Sequence, residues 1–298
     1  MEKILVLGAT GFLGRNFVAN CIDLKDVELT CLTRHNTINT GKIQDINWIQ
    51  GDITNQYFIE NLLDSSWDQI INFYWEGLPL RNNFINHLNL KRTKKLIDLI
   101  SKHKILLNNI GSGLEFNPSY NKIDDNSQDF ANDDFAAIKQ EIHRYLSNSE
   151  IEFRWIRPFY TYGLWQNSKS LLASIVVAYR RKTKVDFINA KLSHDFISAY
   201  DFSQALIKII QSSERQGAFN IGSGILTSVQ SFADATLSAL SGIETDLKDS
   251  SPVKGICSSN LNMSRYFDWT PKYIGAKGVY SYVLDNRQEL LDCFNTQS

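Results

Sequence analysis

Cysteine is scarce in this 298-residue chain, and the four present (Cys21, Cys31, Cys257 and Cys293) share no C-x-x-C spacing. Thiols scattered in this way exclude a disulfide framework and a cysteine zinc site. The five histidines, His35, His87, His103, His143 and His194, likewise lack ligand spacing, so no metal is expected. Excess charge of one sign is missing too: 31 Lys plus Arg against 32 Asp plus Glu leaves a formal net charge of −1. No overall field then favours nucleic acid or an anionic membrane, and any bound anion must be held by a local device. No apolar run approaches membrane-spanning length, and the first residues turn glycine-rich too early for a signal peptide. A reducing cytoplasm is the expected setting.

What remains is a composition of 43% hydrophobic and 21% charged residues, that of a globular chain large enough for a substantial core. Residues 3–7, 27–32, 46–50, 69–73, 105–110 and 152–156 read as six short buried strands. Between them, residues 12–22, 84–102 and 133–146 carry helical periodicity. This alternation defines an α/β chain with a Rossmann-type doubly wound parallel sheet. Past Pro158 the rhythm loosens: helices are expected over 171–181, 201–211 and 229–240, strands over 184–188 and 217–221, an irregular stretch over 242–278, and a last helix over 277–293. The expected division is a dinucleotide-binding domain of residues 1–165, with 190–221 contributing to it, and a smaller substrate lobe of 166–189 and 222–298.

The first strand leads into Gly8-Ala9-Thr10-Gly11-Phe12-Leu13-Gly14-Arg15. A glycine loop between a strand and a helix lets backbone approach a pyrophosphate, which the helix N-terminus then holds. The end of strand two reports on the cofactor: an acid there takes the ribose hydroxyls of NAD, whereas an arginine accommodates the extra phosphate of NADP. This chain has Thr33-Arg34-His35 and no acid, with Arg15 as a second cation, so NADP(H) is favoured and NAD(H) remains open. Both arginines also suit a solvated surface. Gly51-Asp52-Ile53 follows strand three, where Asp52 either meets the adenine or caps a helix in competition with Thr54 and Asn55.

The G-x-x-G-x-x-G spacing resembles the extended short-chain dehydrogenase/reductase superfamily, the NAD-dependent epimerase/dehydratase family, and above all its nucleotide-sugar 4-ketoreductases. Further phrases carry the likeness: Phe73-Tyr74-Trp75-Glu76-Gly77-Leu78-Pro79, Arg157-Pro158-Phe159-Tyr160-Thr161-Tyr162-Gly163, His194-Asp195-Phe196-Ile197, Phe219-Asn220-Ile221-Gly222-Ser223-Gly224 and Phe267-Asp268-Trp269-Thr270-Pro271. The resemblance implies that Phe73, Tyr74, Trp75, Pro158 and Phe159 join the glycine loop, Asp52 and Ile53 around a dinucleotide. It implies a nucleotide-diphosphate sugar as the other partner, met by Trp75, Glu76, Ser112, Gly113, Tyr160, Gln166, His194 and Lys254. Many relatives dimerise through the helices here placed at 84–102 and 133–146, so a homodimer is an open expectation.

The chemistry of that family uses a Ser or Thr, a Tyr, and a Lys four residues after the Tyr on one helix face. Ser112 and Lys139 occupy two of these positions, and Asn89 matches an asparagine of the proton network. The tyrosine position holds Phe135, which has no proton to give. The phenol has been removed by design, lost naturally or relocated, with Tyr74, Tyr160 and Tyr162 as substitutes to consider; Tyr145 and Tyr120 are worse placed. His194 and Tyr160 replace an arginine and an asparagine of the family phrases, which leaves Lys254, Arg265 and Arg180 as diphosphate partners. Three readings follow: a reductase of a 4-keto-6-deoxyhexose for unusual-sugar or surface-polysaccharide (O-antigen) synthesis; an NAD-retaining epimerase or dehydratase; and a binding protein without catalysis. A dehydratase is expected to carry an Asp-Glu pair beside the hydroxyl, and Gly113-Leu114-Glu115 offers one carboxylate.

Overall fold

A computed structural model describes residues 1–21, 24–34, 46–78, 83–116, 122–127, 131, 133–185, 187, 189–243, 246–249 and 255–294. The sequence expectations for His35, Pro79, Tyr120 and Lys254 therefore lie outside the described residues. In chain order the first half runs β1 (Glu2–Leu7), α1 (Phe12–Asn20), β2 (Val27–Thr33), β3 (Asn47–Gln50), α2 (Gln56–Leu63), β4 (Gln69–Asn72), α3 (Asn83–Ile100), β5 (Leu106–Ile110), a 3₁₀ turn (Gly113–Glu115), β6 (Lys122–Ile123), α4 (Asp134–Ser147) and β7 (Phe153–Pro158). The second half continues with β8 (Tyr160–Tyr162), α5 (Leu171–Arg181), β9 (Ser193–Ser198), α6 (Ala199–Ile210), β10 (Gly217–Ile221), β11 (Leu226–Ser228), α7 (Val229–Ser241), β12 (Cys257–Ser258), α8 (Leu261–Phe267), α9 (Gly275–Asp285) and α10 (Arg287–Cys293).

Seven strands form one parallel sheet in the order β10-β7-β5-β4-β1-β2-β3. The strand order reverses between β1 and β4, and in such sheets the crevice beyond the strand C-termini at that point is where ligands bind. Alternation along β1 explains why both faces are covered. Ile4 and Val6 join Phe17 and Val18 of α1 and Phe202 and Leu206 of α6. Leu5 and Leu7 join Leu96 and Ile100 of α3 and Ile138 and Ile142 of α4 on the opposite face. A third core, with Tyr162, Phe232, Tyr282 and Val283, packs α5, α7 and α9 together.

Several expectations need correction. The sheet has a seventh strand, because β10 pairs with β7 from Gly217 opposite Arg154 to Ile221 opposite Pro158. Helix α2 was anticipated only by its candidate caps and given no range; its eight residues bury only Ile59, Leu62 and Leu63, a stripe too short to stand out by periodicity. The described residues of 184–188 carry no strand. The irregular stretch holds β12 and α8, and the expected last helix is two, α9 and α10, separated at Asn286. Strands β8, β9 and β11 make a separate three-stranded sheet, and β6 pairs with β12. No helix among the described residues is long and apolar enough to cross a membrane.

Candidate active site

The cradle forms where β1 turns into α1. Gly8 has φ +74°, and a Cβ there would stand 2.8 Å from the Tyr74 amide nitrogen, so β1 and the end of β4 approach as only glycine permits. A Cβ on Gly14 would run into the Gly8 carbonyl. The residue capping α1, Gly11, provides no side-chain cap, which leaves the first N–H groups of the helix for an anion. Gly8, Thr10 and Gly11 line a cleft of about 270 Å³ that continues past Thr33, Arg34, Gly51 and Ile53 on one side and Phe73 to Glu76 on the other. These residues suit a nicotinamide dinucleotide: a backbone cradle for its pyrophosphate and a groove over the ends of β2 and β3 for its adenosine. Phe12 and Leu13 begin α1 itself, with Leu13 packed on the core.

At the adenosine end, charges are paired across the cleft. Arg34 Nη1 lies 3.0 Å from Glu76 Oε1, and Arg92 Nη1 lies 2.7 Å from Glu76 Oε2 and donates to Tyr74 Oη at 2.8 Å. Glu76, expected against the sugar, stands with Arg34 in the cleft beside the end of β2. Asn89, expected in a proton network, instead clamps the Glu76 backbone: its Oδ1 accepts from the Glu76 amide at 3.2 Å and its Nδ2 donates to the Glu76 carbonyl at 2.9 Å. Asp52 Oδ1 accepts from the Thr54 amide at 2.8 Å, and that bond, aided by nearby Arg34 and Arg92, holds its carboxyl below the usual range. The α2 cap is Asn55, which accepts from the Phe58 amide at 3.2 Å. Arg15 is placed elsewhere than expected, with its guanidinium 4.5 Å over the Trp165 ring.

At the other end, α4 presents Phe135 and Lys139 one turn apart. Lys139 Nζ donates to the Ile110 carbonyl at 2.8 Å, which ties the helix to the last residue of β5, just before Ser112. The Trp75 ring covers the ammonium at 3.7 Å, and Phe135 packs edge-on against that indole at 5.4 Å. Burial lowers the Lys139 pKa to about 7, opposed by the charge of Glu115. Ser112 caps the 3₁₀ turn, its Oγ accepting from the Leu114 amide at 3.1 Å while its own amide donates to Glu115 Oε1 at 2.7 Å. Glu115 is fully engaged below it: Oε2 accepts from Trp155 Nε1 and Arg157 Nε, both at 2.9 Å. Gly113 makes room for the Phe159 ring, which a Cβ would meet at 2.9 Å. Pro158 ends β7, where β10 pairs with it.

None of the proposed substitute tyrosines is placed beside Lys139 by a contact. Tyr74 holds Arg92, and burial with Glu76 nearby pushes its phenol up to about 12. Tyr162 is buried against Phe232 and Tyr282. Tyr145 donates to Asp98 on α3 at 2.5 Å. Tyr160 stacks on His194 at 4.4 Å, with Phe196 edge-on at 5.0 Å. Burial lowers His194 to about 4, so its imidazole is neutral at pH 7 and cannot meet a diphosphate as a cation. Gln166 braces its own loop, donating to Thr161 O at 2.8 Å and accepting from the Gly163 amide. Arg180 donates to the Leu291 carbonyl, and Arg265 lies over Tyr266. Sequence reasoning missed Arg92. Its spacing of three from Asn89 marks a shared helix face, but Glu76 as their common partner needs the fold.

A crossover sheet with a glycine cradle at its switch point defines a Rossmann-type dinucleotide-binding protein. The chain belongs to the NAD-dependent epimerase/dehydratase family, whose model matches residues 4–222. Solved structures share the fold from end to end. dTDP-glucose 4,6-dehydratase of Bacillus anthracis, in complex with NAD, is 20% identical with TM-score 0.79, over 97% of this chain and 98% of that one. UDP-glucose 4-epimerase of Thermotoga maritima, with UDP-glucose, is 16% identical with TM-score 0.81, over 97% and 100%. A tyrosine-to-phenylalanine mutant of UDP-glucuronic acid 4-epimerase from Bacillus cereus, with NAD and a fluorinated sugar nucleotide, is 17% identical with TM-score 0.77, over 97% and 100%. Among curated proteins none matches the sequence.

Proposed function

We propose that this chain binds a nicotinamide dinucleotide in the cleft and holds the sugar of a nucleotide sugar beside Ser112 and Lys139, as a 4-ketoreductase whose phenolic acid is missing. The observation that carries this is the arrangement on α4: a buried lysine tied to the end of β5, with a phenyl ring one turn earlier in place of a phenol. The dinucleotide supplies hydride exchange at its nicotinamide ring. Ser112 Oγ–H is the donor for the sugar oxygen, and the Lys139 ammonium orients the ribose. The smaller lobe, residues 166–189 and 222–298, takes the nucleotide, with the neutral Tyr160–His194 stack as a surface for a ring. Dehydration is the weaker reading, because both oxygens of Glu115 are engaged by Ser112, Trp155 and Arg157. Arg34 supports NADP(H), while Glu76 beside it supports NAD(H).

Phe135→Tyr tests the proposal. General acid catalysis is typically worth about 10²–10⁴-fold, so turnover of a 4-keto sugar nucleotide should rise by that order with dinucleotide affinity unchanged. Activity in neither form, with sugar nucleotide still bound, would instead support a binding protein.

A further inference from the structure

The cleft's adenosine end carries two cations and two anions within reach of one another: Arg34, Arg92, Glu76 and Asp52. Glu76 is the centre of this group, since each of its carboxylate oxygens is bonded to a different arginine. Its position is built, not incidental. Asn89 fixes its backbone from both sides, and Arg92, one turn along α3, fixes its head. Both Arg34 and Glu76 line the cleft beside Thr33, the last residue of β2. The carboxylate missing from the end of β2 is therefore delivered to the same place from the segment after β4, across 42 residues of sequence.

We propose that Glu76 sets which dinucleotide this chain prefers: it holds Arg34 away from a 2′-phosphate and offers its own carboxylate to the ribose hydroxyls. This rests on the reading of the cleft as a dinucleotide site. A 2′-phosphate brings a charge of roughly −1.5 to −2 to within contact of Glu76, and must either share Arg34 with that carboxylate or displace it. A ribose diol brings two hydroxyl donors, and a carboxylate with a free lone pair on each oxygen accepts them without disturbing either arginine. Neutralising Glu76 removes the repulsion and releases Arg34 in one step. The ion pair is half exposed, so exchanging one anionic partner of Arg34 for another costs little.

The test uses the full chain and two nucleotides that differ only in the 2′-phosphate, adenosine 5′-monophosphate and adenosine 2′,5′-bisphosphate, titrated by calorimetry. The unsubstituted protein should bind the monophosphate at least about threefold more tightly than the bisphosphate. Glu76→Gln, which keeps size and shape, should shift the ratio toward the bisphosphate by about tenfold or more, by tightening the bisphosphate and weakening the monophosphate. Adding Arg34→Met to Glu76→Gln should erase that gain. An unchanged ratio in Glu76→Gln, with the monophosphate still bound, overturns the proposal and leaves the dinucleotide reading intact. Equal weakening of both nucleotides makes Glu76 structural and overturns it too. If neither nucleotide nor adenosine diphosphate ribose binds any form, the reading of the cleft falls and the proposal with it.

Discussion

Two arginine–glutamate pairs of nearly equal length stand in different surroundings, one in the cleft and one buried behind the 3₁₀ turn. Arg157–Glu115 spans 2.9 Å with side chains 2% and 0% exposed, whereas Arg34–Glu76 spans 3.0 Å with side chains 57% and 32% exposed. Distance makes them the same contact; burial makes them different devices. Removing a partner from a buried pair strands a charge in low dielectric, but an exposed pair exchanges its partner for water at little cost. Beneath Ser112, a buried pair holds the 3₁₀ turn against β7. In the cleft beside the end of β2, an exposed pair is free to exchange partners.

The largest expected effect comes from breaking the buried member. Glu115→Ala removes the carboxylate paired with Arg157 Nε and takes the acceptor from the Trp155 indole N–H and the Ser112 amide. A loss of about 3–5 kcal/mol in unfolding free energy is expected, read from urea denaturation. A loss below about 1 kcal/mol would mean that the two pairs do not differ in kind. A smaller effect, about 1 kcal/mol per pH unit, follows from Lys139, another buried charge. Its pKa is about 7 in the fold against 10.5 ordinarily, so between those values the unfolded chain holds a proton that the folded chain has lost. Stability should therefore climb as pH rises from about 7 toward 10, by at most about 1.4 kcal/mol per unit for one proton. Lys139→Met should flatten that climb and raise stability at pH 6. A climb of the same slope in the variant would assign it to another group.

The same contrast explains what was legible in the sequence. The cradle was, because Gly8, Gly11 and Gly14 act within one turn whose steric demands are local. The Phe135–Lys139 spacing was, because residues four apart share a helix face in any fold. The covering of strand β1 on both faces was, because its unbroken apolar run has no polar face to expose. The partners of Glu76 were not legible, because they stand 42 and 16 residues away and only the crossover at the switch point brings them together. Asn89 and Glu115 were legible as polar residues near the site, but their partners were not. His194 was read as a substrate residue standing in place of an arginine; that burial and stacking make it a neutral ring was not legible. The break at Asn286 was missed because apolar residues continue on both sides of it, from Val283 to Leu290.

The smallest effect sharpens the comparison most. In a double-mutant cycle on stability, Arg34→Met and Glu76→Gln should couple by less than about 1 kcal/mol. Their Coulomb attraction acts through high dielectric, Arg34 gives up side-chain entropy to hold one geometry, and Glu76 keeps Arg92 as a second cation at 2.7 Å when Arg34 is gone. Salt should shrink the coupling further, since the Debye length is about 8 Å at 0.15 M and about 3 Å at 1 M. Urea unfolding at low and high salt measures both. A coupling of 2 kcal/mol or more that ignores salt would mean Arg34 is locked in place as firmly as Arg157, and a pair so locked would have no cheap way to admit a 2′-phosphate. A weak, salt-sensitive coupling would leave the pair able to respond to a ligand without governing the fold.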